Sequence, residues 1–336
     1  MGRLKIFNSK FYNRLKMFSG YGRNGRIQYL PVEVFIEPTN ICNLSCIMCP
    51  IDTIKRDKGY IDFDIFKNIV DQIAPYSELV YLNAIGEPML HPRLFDMVEY
   101  CKMKNLKVFL ATNATMLTEE NSKRLIQAGI DYIILPLDGA TKETYEKVRQ
   151  GAKYEKIIRN INNFLAEKRN NNSKTYVALQ MISLEENKHE IDKFLKQWRG
   201  NKEINMIRLK PKANLNAEDL KDKMPTTACI QVWRNFNVNW DGTVIPCCFD
   251  VDKKYVLGNV AEQSVKDIWT SDKFREFRKM QAANKIDMCF NCDFGQPNKI
   301  SLLAMTLLSG FRVKKILPIV EKLSMKSSFV RRLFLK

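Results

Sequence analysis

From residue 32 to about 210, short apolar runs rich in valine, isoleucine, leucine and phenylalanine alternate with longer stretches whose apolar residues recur three and four positions apart. The first pattern has the period of a pleated strand, and the second that of a helix resting one face on a core. Together they predict strands over 32–36, 79–83, 107–112, 132–137, 175–181 and 205–210, with helices over 62–73, 94–104, 118–128, 154–169 and 188–198 between them. The repeat of roughly 25 to 30 residues is the rhythm of βα units, whose strands lie parallel in one sheet. The polar stretch 169–173 reads as a helix-to-strand loop, and around 211–225 the periodicity fades into charged residues. A new unit starts at Cys229, where an Asp241-Gly242 pair between the apolar segments 236–240 and 243–245 signals a β-hairpin.

Composition sets the scale. A chain of 336 residues with 45% apolar content suits one large domain and a smaller one. Nine cysteines without a secretory signal point to a reducing cytosol and to metal ligation rather than disulfides. The net charge of +17 is concentrated at the ends: residues 1–30 hold seven Lys/Arg and no acid, and residues 299–336 hold nine against Glu321 alone. The body between them is nearly neutral, so nucleic acid is not its expected partner.

Candidate chemistry centres on Cys42, Cys46 and Cys49, in a loop that Pro38-Thr39-Asn40 separates from the first strand. Three thiolates at these spacings can wrap one iron-sulfur cube, whereas a structural zinc site wants a fourth Cys or His nearby, and the sequence offers none there. Buried free thiols, or part of a zinc site, are the alternatives.

At these residues the chain resembles the radical S-adenosylmethionine (SAM) superfamily, whose signature is Cys-x3-Cys-x2-Cys. The resemblance implies that the three thiolates hold three irons of a 4Fe-4S cluster, with the amino and carboxylate groups of SAM chelating the fourth. It also implies an α/β fold, a partial (βα)6 TIM-like barrel over 31–210, with chemistry at the C-terminal strand ends where the cysteine loop falls. Met48 stands where the family usually has an aromatic residue, and its thioether is polarisable enough to pack on adenine. Gly86-Glu87-Pro88 matches an element that receives the SAM amino group; alone, the tripeptide would read as a strand-to-helix turn. Thr112-Asn113 resembles Thr-Asn-Gly, which contacts the ribose and carboxylate region, with Ala114 in place of the glycine. In 135–139, Pro136 removes a hydroxyl that relatives use for SAM. Arg149-Gln150-Gly151 matches an Arg-x-Gly element whose arginine can hold a carboxylate; the alternative is an arginine on the outer face of a helix. Asn187 is expected either to contact SAM or to cap a surface turn.

Cys229, Cys247, Cys289 and Cys292 form a second set, and four ligands can close a site of zinc or iron-sulfur type. The string 241–248, with 257–260 and 267–269, resembles the SPASM/twitch domains of radical SAM enzymes, which implies one auxiliary 4Fe-4S cluster in a small α+β iron-sulfur domain over 225–298. Cys248 is left over, as a bystander thiol or a substitute ligand, and Cys101 reads as core. With His91 and His189 as the only histidines, a histidine metal site or a Ser-His-Asp triad is not expected.

The basic N-terminal extension 1–30 and the tail 299–336 interleave apolar residues with Lys/Arg, which suits helices lying on an anionic membrane or helices capping the barrel with their charges exposed. The family resemblance implies reductive cleavage of SAM to a 5′-deoxyadenosyl radical, which takes a hydrogen atom from an unactivated carbon. The auxiliary cluster would accept the substrate's electron in a net oxidation, or anchor substrate. With only 31 residues before the first strand, a sugar-like or other small-molecule substrate comes ahead of a peptide, and RNA third. A reducing donor such as flavodoxin or ferredoxin is implied, in a cytoplasmic setting, with membrane contact at its inner face through the tails. The non-enzymatic alternative is a zinc-binding interaction protein.

Overall fold

The computed structural model describes residues 2–22, 25–211, 228–289 and 292. The expected C-terminal tail 299–336 and most of the charged stretch 211–225 lie outside them. In chain order the strands are β1 (Glu33–Ile36), β2 (Ser45–Cys46), β3 (Leu79–Tyr81), β4 (Lys107–Ala111), β5 (Tyr132–Pro136), β6 (Arg149–Gln150), β7 (Tyr176–Ser183), β8 (Met206–Pro211), β9 (Asn235–Val238), β10 (Thr243–Ile245) and β11 (Gly258–Asn259). The helices are α1 (Gly2–Gly20), α2 (Phe63–Ile73), α3 (Leu94–Met103), α4 (Glu119–Gln127), α5 (Lys142–Val148), α6 (Tyr154–Asn170), α7 (Ile191–Trp198), α8 (Ile230–Arg234), α9 (Val265–Thr270) and α10 (Asp272–Ala282).

All six expected barrel strands form, parallel and in the order β1-β3-β4-β5-β7-β8. Helices α2, α4 and α5 start where a side chain satisfies free N–H groups: Asp62 accepts from Asp64 and Ile65, Thr118 from Asn121, and Thr141 from Thr144. Helix α2 then buries Phe66, Ile69, Val70 and Ile73, one stripe at helical spacing. The expected helix 188–198 begins instead as a 3-10 turn, Lys188–Glu190, and α5 was not foreseen.

Alternation decides which side chains enter the barrel. Val34, Ile36, Val80, Val108, Leu110, Ile133, Leu135, Val177 and Leu179 are fully buried beneath the helices. On the opposite face, Phe35, Tyr81, Phe109, Tyr132 and Tyr176 form a continuous row across five strands, with successive ring centroids 4.0, 4.7, 6.5 and 5.8 Å apart. Each such aromatic pair adds about 0.5–1.5 kcal/mol beyond its burial. The row floors the interior beneath the strand ends that carry the cysteine loop.

The second unit does not build a sheet of its own. Strand β9 pairs in parallel with β1, and β10 and β11 follow antiparallel, so one nine-stranded sheet runs through both units. At the opposite end of the barrel α1 packs across the strand starts. Its Lys10 donates to the Asn105 carbonyl, Asn13 exchanges two hydrogen bonds with Leu30, and Arg14 pairs with Glu78. The expectation that such a helix exposes its charges is overturned for Lys10 and Arg14, which are buried, while Tyr12 is 60% exposed. The barrel's strand starts present acceptors, the Asn105 carbonyl and the Glu78 carboxylate, that these two cations satisfy.

Candidate active site

The cysteine loop leaves β1 through a pinned segment. Glu37, fully buried just beyond the strand, takes both N–H arms of Arg56 at 2.6 and 2.5 Å. Thr39 donates to the Gly59 carbonyl at 2.6 Å, and Asn40 bridges Asp57 and Gly59. Cys42, Cys46 and Cys49, with Met48 beside the last, are then held partly buried.

A two-residue ladder fixes the middle of the loop. Strand β2 pairs antiparallel with β6, setting Cys46 opposite Arg149, and Ile47 adds a bond to the Val148 carbonyl. Arg149 is therefore not on the outer face of a helix. It is buried, its Nε and Nη2 gripping Asp138 at 2.8 and 2.6 Å while Nη1 points to the Cys46 sulfur at 3.8 Å. Burial alone would lower its pKa, but the charges of Asp138 and Cys46 raise it, so the guanidinium stays charged.

Glu87 lies across the barrel mouth, also buried. Its carboxylate accepts from Thr112 Oγ1 at 2.7 Å, Asn113 N–H at 2.6 Å and Met89 N–H at 3.0 Å. Burial raises its pKa, with these donors pulling the other way. Three of its roughly four acceptor positions are thus used to join the Gly86 turn to the end of β4. Gly86 takes a φ of +94°, and a Cβ there would meet the Thr39 carbonyl at 2.6 Å; Pro88 opens the 3-10 turn that follows. Asn113 donates to Asn43 at 3.0 Å with the Cys42 sulfur 3.9 Å away, and its own oxygen takes Thr115. Ala114 adopts the turn that its glycine counterpart would, at φ 63°.

Asn187 is fully buried rather than on the surface. It donates to the carbonyls of Ile182 and Asp138 and accepts from Leu184 N–H, tying the end of β5 to that of β7. His91 is a turn residue, its Nδ1 accepting from Arg93 N–H, so that Nε2 donates to the Ile61 carbonyl. Cys101 is core.

The three loop thiols sense one another. Burial raises all three, Cys46 to about 11, with Arg149 offsetting part and Cys49 and Cys42 adding to the rise. In the second unit, Cys229 precedes α8 and donates its N–H to Gln281, Cys247 follows β10, and Cys292 N–H reaches the Cys289 carbonyl. Burial and then Cys292 and Cys248 lift Cys229 to about 11, while burial, Cys229 and Cys292 lift Cys289 to about 12. Cys247 is raised chiefly by its hydrogen bond to Cys248. The fold thus gathers all four expected ligands and the leftover Cys248. Among the described residues no three His, Cys, Asp or Glu converge tightly enough for a single metal ion.

Sequence reasoning missed Glu37, Arg56 and Trp240. Trp240 N–H donates to Glu37 and its indole to the Asp57 carbonyl, so the second unit clasps the segment that returns from the cysteine loop. No local pattern marks an acid 19 positions from its arginine.

Two family models match the chain, that of the radical SAM superfamily over residues 36–197 and that of the SPASM iron-sulfur cluster-binding domain over 229–293. The chain belongs to the radical SAM superfamily. Radical SAM proteins bind a 4Fe-4S cluster and SAM, and SPASM domains carry auxiliary clusters. One relative is the tungsten-containing aldehyde ferredoxin oxidoreductase cofactor-modifying protein of Pyrococcus furiosus, 25% identical over 77% of this chain and 86% of that protein. Another is the SAM-dependent 2-deoxy-scyllo-inosamine dehydrogenase of Niallia circulans, 26% identical over 77% and 91%. In fold, this radical SAM enzyme resembles Streptococcus suis SuiB, solved with its precursor peptide SuiA, with a TM-score of 0.64 at 13% identity over 82% of this chain and 73% of that one.

Proposed function

We propose that this radical SAM enzyme takes a hydrogen atom from a sugar-like or other small metabolite and that the net reaction is an oxidation. The observation that carries this is the similarity along nine-tenths of a relative named as a small-molecule dehydrogenase, with 26% identity. Peptide modification is the second reading, favoured by the SuiB-like fold.

When bound, the cluster and SAM supply a carbon-centred radical by reductive cleavage of a C–S bond. The chain's own residues do the rest. Cys42, Cys46 and Cys49 would hold three irons, and the Gly86–Pro88 turn and Asn113 would flank SAM, with Met48 beside its adenine. Glu87 keeps that turn and Asn113 in register through three hydrogen bonds. Arg149 sets a fixed positive charge beside Cys46, where thiolate charge must be stabilised. The aromatic row excludes water from below. Cys229, Cys247, Cys289 and Cys292 would hold one auxiliary cluster, able to take the electron that a substrate radical must lose in a net oxidation, and a flavodoxin or ferredoxin would supply the electron for SAM cleavage.

The test is anaerobic reconstitution followed by 5′-deoxyadenosine assays over nucleotide sugars, aminosugars, sugar acids and short peptides. Stimulation by a small molecule supports the reading, and stimulation by peptides alone sinks it.

A second proposal concerns location. Helix α1 turns Lys10 and Arg14 inward and leaves Phe11, Tyr12 and Leu15 exposed beside Lys16, a face suited to an anionic lipid surface. No described helix is long and apolar enough to cross a membrane. The full-length protein should float with anionic liposomes, and a Phe11→Ser, Tyr12→Ser, Leu15→Ser variant should not; equal flotation refutes the idea.

A further inference from the structure

The cysteine loop, the Gly86 turn, Asn113 and the Arg149–Asp138 pair occupy the ends of β1, β3, β4 and β5. One wall of the barrel mouth, β7 and β8, lends them the Ile182 N–H, which Asp138 accepts at 2.6 Å, but none of its inward-facing side chains. On β7, Val177, Leu179 and Met181 lie fully buried beneath the helices, so Tyr176, Ala178, Gln180 and Ile182 face the interior. Paired residues of a parallel ladder share a face. Gln180 pairs with Pro136 on one side and Arg208 on the other, and Ile182 pairs with Lys210. Arg208 and Lys210 therefore enter the same interior as the aromatic row. Lys210 is near enough to Cys248 for its charge to act on that thiol, so this wall runs from the SAM side toward the second cysteine set.

Arg208 stands apart from the other well-buried arginines. Arg14, Arg56, Arg149 and Arg234 each hold a carboxylate, and Arg278 sits among Trp233, Trp269 and Phe274 and donates to the Trp269 carbonyl. Among the described residues Arg208 meets neither an acid nor a carbonyl nor a ring, and the interior face of β7 and β8 carries no acid. Burial lowers its pKa with no anion opposing the shift. A guanidinium nevertheless stays charged at neutral pH, and a partly buried, uncompensated cation is costly unless something anionic meets it.

We infer that Arg208, with the Gln180 amide beside it and Lys210 nearer the mouth, binds a phosphate or carboxylate of the substrate and selects an acidic small molecule. The inference rests on the small-molecule reading above and narrows it. The same wall repels a protonated amine, so the substrate differs in charge from the inosamine of the Niallia relative. The guanidinium offers a planar fork to two oxygens, the amide a further N–H, and Lys210 a long-range attraction.

The experiment uses the full-length, anaerobically reconstituted protein with SAM, titrated calorimetrically with inorganic phosphate and with malonate as separate probes. At least one anion should bind, and Arg208→Gln should weaken it about tenfold, while Arg208→Lys, which keeps the charge and loses the fork, should weaken it about threefold. SAM affinity should stay within about twofold in both variants. The inference is overturned if neither anion binds the unaltered protein, or if Arg208→Gln binds equally well. Should Arg208→Gln not fold, the unaltered protein decides: phosphate or malonate must slow phenylglyoxal modification of Arg208, mapped by mass spectrometry, and no protection overturns the inference. Which probe binds separates phosphate from carboxylate. Substrate-stimulated 5′-deoxyadenosine formation, measured apart, tests the reading beneath: stimulation by peptides alone, with anion binding intact, overturns that reading alone. Sugar phosphates or sugar acids should then stimulate 5′-deoxyadenosine formation more than aminosugars, and the reverse order overturns the inference.

Discussion

Ala114 and Gly86 are opposite cases of one constraint. Both backbones bend into the left-handed region to let the barrel mouth close around the cysteine loop, at φ 63° and +94°. Ala114 carries a Cβ there and is fully buried, its carbonyl held by Asn160 at 2.7 Å. A left-handed alanine costs roughly 1–2 kcal/mol, part of which the flexibility of a glycine cancels. Ala114→Gly should therefore raise stability by up to about 1 kcal/mol, read as a higher urea midpoint at unchanged slope. Gly86→Ala runs the other way. Its Cβ would meet the Thr39 carbonyl at 2.6 Å and the Asn40 backbone at 2.8 Å, neither of which can rotate aside. A loss of about 2–3 kcal/mol and roughly tenfold weaker SAM binding by calorimetry are expected.

At the scale of elements, side chains add to the ladders in joining the strand ends. Glu190, in the turn before α7, accepts from Ala140 N–H at 2.6 Å and from Thr141, fastening the loop after β5 and the start of α5. Burial pushes its pKa up, but these hydrogen bonds prevail and hold it below its ordinary value of 4.5. A carboxylate depressed in the folded state adds stability above its unfolded pKa and loses it as pH falls through the folded one. Glu190→Gln should lower stability by about 1–2 kcal/mol at pH 7 and flatten the acid limb below pH 4.5, measured by urea melts across pH. The Arg149–Asp138 pair is the stronger tie. Arg149→Gln strands a buried acid and should cost about 3–5 kcal/mol, whereas adding Asp138→Asn should recover part of that loss in a double-mutant cycle. The elements themselves were largely legible, because alternation and helical spacing are local. Even the Arg208 side of β8 was visible in principle, as cations two apart in Met206–Pro211. The two-residue strands β2 and β6 were not legible, since nothing in Ser45–Cys46 favours pairing until Arg149 is brought opposite.

For the whole molecule, the joined sheet makes two cysteine sets parts of one frame. Gly59 packs flat under Trp240, where a Cβ would meet the ring at 2.5 Å, and Lys55 N–H bonds Asp252 across the same seam at 2.8 Å. The ligand assignment predicts about eight irons per chain for two cubes. Cys247→Ser should leave about four, and Cys248→Ser about eight, by iron and sulfide analysis. An equal loss in both variants would make Cys248 a ligand.

By itself the sequence determined the six parallel strands, the hairpin around Asp241-Gly242 and both cysteine sets, since each is written in spacings of a few residues. Tertiary structure alone decided that β9 joins β1, that Arg149 serves Asp138 and Cys46, that Asn187 is an internal tie, and that Arg208 is left without an acid. Those outcomes depend on strand register and on which charges meet across tens to hundreds of positions. Charge pairing and desolvation act through space, and a linear pattern does not contain those distances.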